Sequence, residues 1–458
     1  MQAAGVKAEP FSPAPDRQAA SSAWEASAQA VSADQRDANI MRSGGWRGAI
    51  HDAGRWAVVV SLFCVPLNKP ATSIALAFAL LCSLLAPDLP GRLRTGLGQP
   101  VVRGALIWMG VLALSALHAK LAHGSQFPSG STLFALAYPL LVATLLDSNR
   151  WRRRAVLAFC IAVTAVLLIS WGQAMGIVPQ RDLALLESGA RMRNTVFKEY
   201  TQQGLTFLIL ASIAFAAFLG THARHVRLVL ASVVLLATAN VLFLIDSRTA
   251  LITIVMVMAY FVWRLAGPRK GPGIRQVVVL AISLGLGAAT LWSLPVVHDR
   301  VVAVQKEINV YAAGRQPTST GIRMEMWRHT VPMIDASPLW GHGLNRWGPM
   351  YRDAIRDLPD YPAFVADHPH QEYLWILAEE GVIGLLVFVA LMIALGRHLS
   401  RLQAAERDAW ACLMIIFLTA GLANCLWFDF SHRHVFILLL ACIPLVASVG
   451  DHKRGLSA

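Results

Sequence analysis

Residues 150–177 read RWRRRAVLAFCIAVTAVLLISWGQAMGI. Four arginines, Arg150, Arg152, Arg153 and Arg154, lead into an uncharged apolar run over 155–177. A helix rising ~1.5 Å per residue over that run is long enough to cross a ~30 Å hydrocarbon layer, and the arginines mark the end that stays in the cytoplasm.

The pattern recurs along the 458 residues, with apolar segments at about 56–67, 71–87, 103–119, 132–146, 155–177, 203–220, 226–245, 249–265, 276–295, 373–395, 409–427 and 434–449. Hydrophobic residues make up 56% and charged residues only 15%, against roughly 25% charged in a soluble domain, and the mean hydropathy is +0.52. The expected fold is therefore all-α, a polytopic integral membrane protein with about 12 transmembrane helices. The net charge of +13 comes from short basic clusters between apolar runs rather than from one stripe, so nucleic acid is not an expected partner. Cys64, Cys82, Cys160, Cys412, Cys425 and Cys442 lie in or beside apolar segments without CxxC spacing and read as small core residues.

Orientation follows from the lysines and arginines of the short connections. With the N-terminus inside, the cytoplasmic connections and C-terminal tail hold 18 and the opposite short loops hold 8. Both termini are then expected in the cytoplasm. Residues 1–50 form an N-terminal tail too poor in apolar residues to order itself, and no cleavable leader precedes the first span. Residues 51–295 carry spans 1 to 9, residues 373–450 spans 10 to 12, and 451–458 a cytoplasmic tail. Residues 296–372 form a large, mainly helical loop on the outer face between spans 9 and 10, with helical stretches at 321–335 and 349–357. A connection this long between membrane helices is usually functional.

Arginines on the outer side run against the positive-inside bias and point to something bound there. Arg191 and Arg193 precede span 6, Arg248 sits in the DSRTA turn between spans 7 and 8, and Arg323 lies in TGIRMEMWRHT within the large loop. Guanidinium groups at the headgroup plane suit a lipid-linked phosphate, which takes a fork of donors. Snorkelling, or pairing with Asp246, Glu187 or Glu325, is the structural alternative. The second feature is Asp367-His368-Pro369-His370-Gln371-Glu372-Tyr373-Leu374, running into span 10. Pro369 suits a first helical turn, placing His370 and Gln371 beside unpaired backbone N–H groups that favour anions. An imidazole there can act as a general base; a metal-binding His-x-His pair and a simple hydrogen-bonding cap are the alternatives.

Ser247-Arg248 at a span junction, GIRMEMW with Arg323, PLWGHGLNRWG with Gly341 and Gly343, and HPHQEYLWILAEEGVIGLLVF together resemble the O-antigen ligase and polymerase superfamily. The resemblance covers most of residues 50–450 and is most specific over 320–390. It implies a multi-pass protein of the bacterial inner membrane with its active site on the periplasmic side. It also implies transfer of glycan from undecaprenyl diphosphate, to lipid A-core in the ligase branch or to a second lipid-linked glycan in the polymerase branch. His370, Arg323 and Arg248 are the residues onto which it carries catalysis; His368, Gln371, Arg191 and Arg193 are candidates for substrate binding. A common form of the motif has Asn where this chain has Gln371, which offers similar hydrogen bonds and leaves both His368 and His370 as candidate bases. A diphosphate leaving group needs no ATP site. No P-loop, dinucleotide fingerprint or DxD pair stands out, so neither a cofactor nor a metal is expected. A transporter of lipid-linked glycan is the reading from another class, and it would show titratable residues midway through broken spans.

Overall fold

The computed structural model describes residues 45–124, 131–180, 194–196, 199–267, 273–314, 317–358 and 361–445, and among them there is no strand. The first half of the chain forms α1 (Trp46–Cys64), α2 (Lys69–Leu85), α3 (Leu89–Leu97), α4 (Pro100–His123), α5 (Ser131–Ala135), α6 (Tyr138–Leu145), α7 (Asn149–Ala174) and α8 (Tyr200–Gly220). There follow α9 (Arg224–Ala239), which ends in a π turn over Asn240–Leu244, α10 (Arg248–Ala266) and α11 (Ile274–Ser293). The large connection folds as α12 (Pro295–Gly314), α13 (Ser319–Ala336), α14 (Trp347–Ala354) and α15 (Tyr361–Phe364). The chain then returns through α16 (Glu372–Leu399), α17 (Ala404–Ala420) and α18 (Phe430–Ala441).

Seven described helices are long and apolar enough to cross a membrane: α4, α7, α8, α9 with its π turn, α10, α11 and α16. The pair α2 and α3, bent by 118°, brings the number to eight if it counts as one span. The remaining sequence segments fall in shorter or less apolar helices, such as the 17-residue α17 and the 12-residue α18, so helix length alone does not reach twelve. The molecule is an all-helical integral membrane protein.

Among the seven, α8 is the most enclosed, with α9, α10 and α17 packed around it, and α11 is the least. Buried polar groups tie the first helices together. Arg55 holds Asp147 with both oxygens at 2.7 and 2.8 Å and donates to the Leu145 carbonyl at 3.2 Å. Arg92 satisfies the carbonyls of Ser83 and Ala86, at 2.7 and 3.0 Å, where α2 breaks into α3. The six cysteines are free, and Cys82, Cys412, Cys425 and Cys442 are buried.

One expectation about span 10 is corrected. Its helix does not begin at Pro369: Gln371 is the N-cap, accepting from the Leu374 amide at 2.5 Å, and Glu372 is the first helical residue. His370 lies outside the helix with a positive φ of 51°, so the chain turns before the helix starts. The span is also interrupted. It breaks at Gly381 (φ 68°, ψ −170°), directly after the buried Glu379 and Glu380. Into this break fits the turn 338–345 of the large connection, with His342 N on Ala378 O at 2.9 Å, Gly343 N on Glu379 O at 2.8 Å and Val382 N on Pro338 O at 2.8 Å. The Glu379 carboxylate accepts from Asn345 N at 2.8 Å and Trp347 N at 3.0 Å. A helix interrupted in a membrane must have its freed amides satisfied by protein, and this turn does so. Gly341 (φ 67°) is required there, since a Cβ would stand 2.4 Å from the Glu379 backbone.

Candidate active site

The connection between α11 and α16 supplies most of the site. Thr318 caps α13, its hydroxyl accepting from Gly321 N at 3.0 Å, and so fixes the helix that carries Arg323. Residues two apart on a helix point to different faces. Glu325 turns into the protein, fully buried, where it accepts from the Tyr311 hydroxyl and lies 3.0 Å from His329 Nε2. Arg323 turns the other way, towards Tyr200, Arg248, Glu307 and Glu199, and burial lowers its pKa. Among the described residues its guanidinium has no ion pair or hydrogen bond, so the alternative of pairing with Glu325 does not describe it.

His368 and His370 complete the cluster. Their rings meet edge to face, with centroids 4.3 Å apart, and His368 also packs on Phe428 at 4.6 Å. The His370 amide donates to His368 Nδ1 at 3.3 Å, and the Trp327 indole donates to the Pro369 carbonyl between them at 2.9 Å. Both rings are held neutral. Burial brings His370 down to about 3, with His368 and Arg323 adding repulsion. Burial likewise brings His368 down to about 4, opposed by Asp367 and Asp429 and assisted by Arg323. Neutral imidazoles therefore lie beside a guanidinium that has no ion pair among the described residues.

Arg248 begins α10, just after the N-cap Ser247, whose hydroxyl accepts from Ala250 N at 3.2 Å. It lies close enough to Arg323 to act on its charge, but it is engaged. Glu307 of α12 takes both of its Nη groups, at 2.6 and 3.0 Å, and Thr320 Oγ1 accepts at 3.1 Å. The hydrogen bond from Arg248 lowers Glu307 to about 2 despite partial burial. Asp246 pairs instead with Arg300 at 3.1 Å. The pairing alternative thus holds for Arg248, with a partner from a distant helix that sequence distance conceals.

The structure brings Arg323, His368, His370 and Arg248 together; Gln371 serves as the helix cap. Arg191 and Arg193 lie outside the described residues, as do the tails over 1–44 and 446–458. Sequence reasoning missed Glu307, Trp327, Tyr200 and a group at the N-terminus of α18. There Asp429 accepts from Ser431 N at 2.7 Å and His432 N at 3.0 Å, with Lys69 Nζ 3.9 Å away. Asp before Ser-His at the head of an apolar run is the capping signal that could have found it. Glu199, Asp429 and His432 each offer a ligand atom within 4.8 Å of the others, so these three could hold a metal ion. Two tryptophans of the connection are held within the protein: Trp347 is buried with its indole on Thr330 at 2.8 Å, and Trp327 donates to the Pro369 carbonyl.

An integral membrane protein with an imidazole pair and arginines gathered beside an unusually long helical connection is the class that fold and site define. A family model described as O-antigen ligase matches residues 230–389, a stretch that includes Arg248, Arg323, His368 and His370. The chain is therefore consistent with an O-antigen ligase and polymerase-like family, as the sequence motifs led us to expect. No curated protein matches the chain.

Proposed function

We propose that this protein is an inverting, metal-independent glycosyltransferase that moves O-antigen glycan from undecaprenyl diphosphate to a sugar hydroxyl of lipid A-core. The reaction takes place at the periplasmic face of the bacterial inner membrane, with residues 296–372 in the periplasm and both termini in the cytoplasm. The observation that carries the proposal is the partly buried Arg323, without an ion pair among the described residues, beside the neutral His368 and His370. His370 Nδ1 or Nε2 takes the proton of the acceptor hydroxyl while its oxygen attacks C1 of the donor sugar. The bond from C1 to the diphosphate oxygen breaks with its electron pair on oxygen, and Arg323 balances that charge. Arg248 adds a second guanidinium, at the cost of sharing Glu307. Free His370 is a weak base, but a diphosphate against Arg323 replaces repulsion by attraction and raises its proton affinity at the moment it is needed.

Transport is the weaker reading even though α16 is broken and holds Glu379 and Glu380 beside the break. The turn 338–345 fills the break, and the cavity beside Glu380 is about 10 Å³, too small for a path.

Purified protein with a lipid diphosphate-linked glycan and a set of acceptors tests the proposal. Attachment to lipid A-core with inverted anomeric configuration and no loss on chelation is expected. Retained configuration would remove single displacement, chelator loss reversed by a divalent cation would bring in Glu199, Asp429 and His432, and joining of two lipid-linked glycans would make the protein a polymerase.

A further inference from the structure

A long apolar groove of about 720 Å³ lies away from the candidate active site, between α7, α8, α9 and the start of α17. Leu157, Ile161, Leu168, Leu210, Ile213 and Leu230 are among its walls. Along α7 it runs from Arg152 to Leu168, about 24 Å at ~1.5 Å per residue, most of a ~30 Å hydrocarbon layer. Its nearest lining residue on α8 is Leu210, ten residues and so about 15 Å from Tyr200, which keeps it separate from the histidine cluster.

The groove ends on an excess of positive charge, Arg152 and Arg153 against Glu406. Arg152 is buried and donates to Leu146 O at 3.0 Å, Gln99 Oε1 at 2.8 Å and the Ile443 carbonyl. All three acceptors are neutral, and among the described residues no carboxylate pairs with it. Its hydrogen bonds all go to neutral groups, and Asp147, the carboxylate that attracts it, has both oxygens held by Arg55, so positive charge is left over in an apolar wall, which is costly unless an anion comes near. Arg153 beside it is largely exposed and has one counter-ion, Glu406 at 2.9 Å. Arg150 and Arg154 stand on the same helical turn, with Arg154 over the Trp151 ring at 4.5 Å. Excess positive charge at the mouth of an apolar slot complements a molecule with one anionic end and a long hydrocarbon body.

We propose that this groove is a binding site for an anionic phospholipid of the leaflet that the arginines face, with its phosphate against Arg152 and Arg153 and an acyl chain along α7 and α8. The occupant is a resident lipid and not the donor, because the charged end lies at the opposite end of α7 from Ser170, which accepts from Gln203, one turn along α8 from the Tyr200 that lies by Arg323.

The test is native mass spectrometry of the full chain released from vesicles of equal phosphatidylglycerol and phosphatidylcholine. Phosphatidylglycerol should remain bound in preference, at one molecule per chain. Arg153→Gln should cut that retention at least fivefold, and Ala214→Phe, which fills the groove without touching charge, should abolish it. Glycan transfer should persist in both variants, since neither residue belongs to the histidine and arginine cluster. Equal retention of the two lipids, or retention unchanged by Ala214→Phe in protein that still elutes as a single species, would overturn the proposal.

Discussion

Glu307 holds both terminal nitrogens of Arg248, at 2.6 and 3.0 Å, so the arginine that the sequence placed at the membrane boundary is neutralised by a residue 59 positions later. The same carboxylate takes Thr320 N at 3.0 Å, three residues before Arg323. One acid therefore spaces the two arginines of the site.

Arg248→Lys keeps the charge but cannot reproduce the fork, and a hydrogen bond to a charged group is worth about 1.5–3 kcal/mol. Donor KM should rise about tenfold or more. Glu307→Gln should weaken the link between α12 and α13 while leaving Arg248 free for donor. Unchanged KM in Arg248→Lys, measured with protein of wild-type stability, would remove Arg248 from donor binding.

His370→Ala should lower kcat by roughly 10²- to 10⁴-fold with donor still bound, and His368→Ala should do less. The low values of about 3 and 4 for the two rings set the pH behaviour. Each ring binds fewer protons folded than unfolded between those values and about 6.5, so each draws stability down as pH falls through that window. Both stay neutral in free enzyme from pH 7 to 5, and kcat/KM should show no acid limb near 6.5 from them. A limb at 6.5 that disappears in His370→Ala would contradict the buried, neutral ring.

Trp327→Phe keeps the ring and deletes the donor to the Pro369 carbonyl. If that bond only packs the loop, kcat and KM will be unmoved. As the strut that sets the two imidazoles it should cost about fivefold in kcat with little change in KM, the effect of roughly 1 kcal/mol.

Cysteines at the exposed Ser319 and Ser400 test the orientation. Ser319→Cys should react with an impermeant reagent in intact spheroplasts and Ser400→Cys should not. The reverse result would put the histidine cluster in the wrong compartment.

Helices and the helical nature of the long connection were legible because apolar period and length report them directly. Histidines and arginines stood out for a related reason: charge at an outer span end runs against the usual bias. Partners were not legible. Glu307 and Arg248 meet because α12 packs on the π turn that precedes α10, and Trp327 reaches Pro369 from 42 residues away. The Gly381 break was hidden because AEEGVIG reads as a tolerable interruption in an apolar run; only the amides of the turn 338–345 explain why two carboxylates sit there.

That turn also bears on how the protein can vary over evolutionary time. Surface loops usually accept insertions and deletions, and a long connection offers many places for them. Here the stretch from Pro338 to Asn345 is keyed to Ala378, Glu379 and Val382, so adding or removing one residue would move every donor off its acceptor at once. Length change should concentrate elsewhere in the connection, and a graft that exchanges this loop between related chains should work only when its cut points leave both the turn and the break of one parent intact.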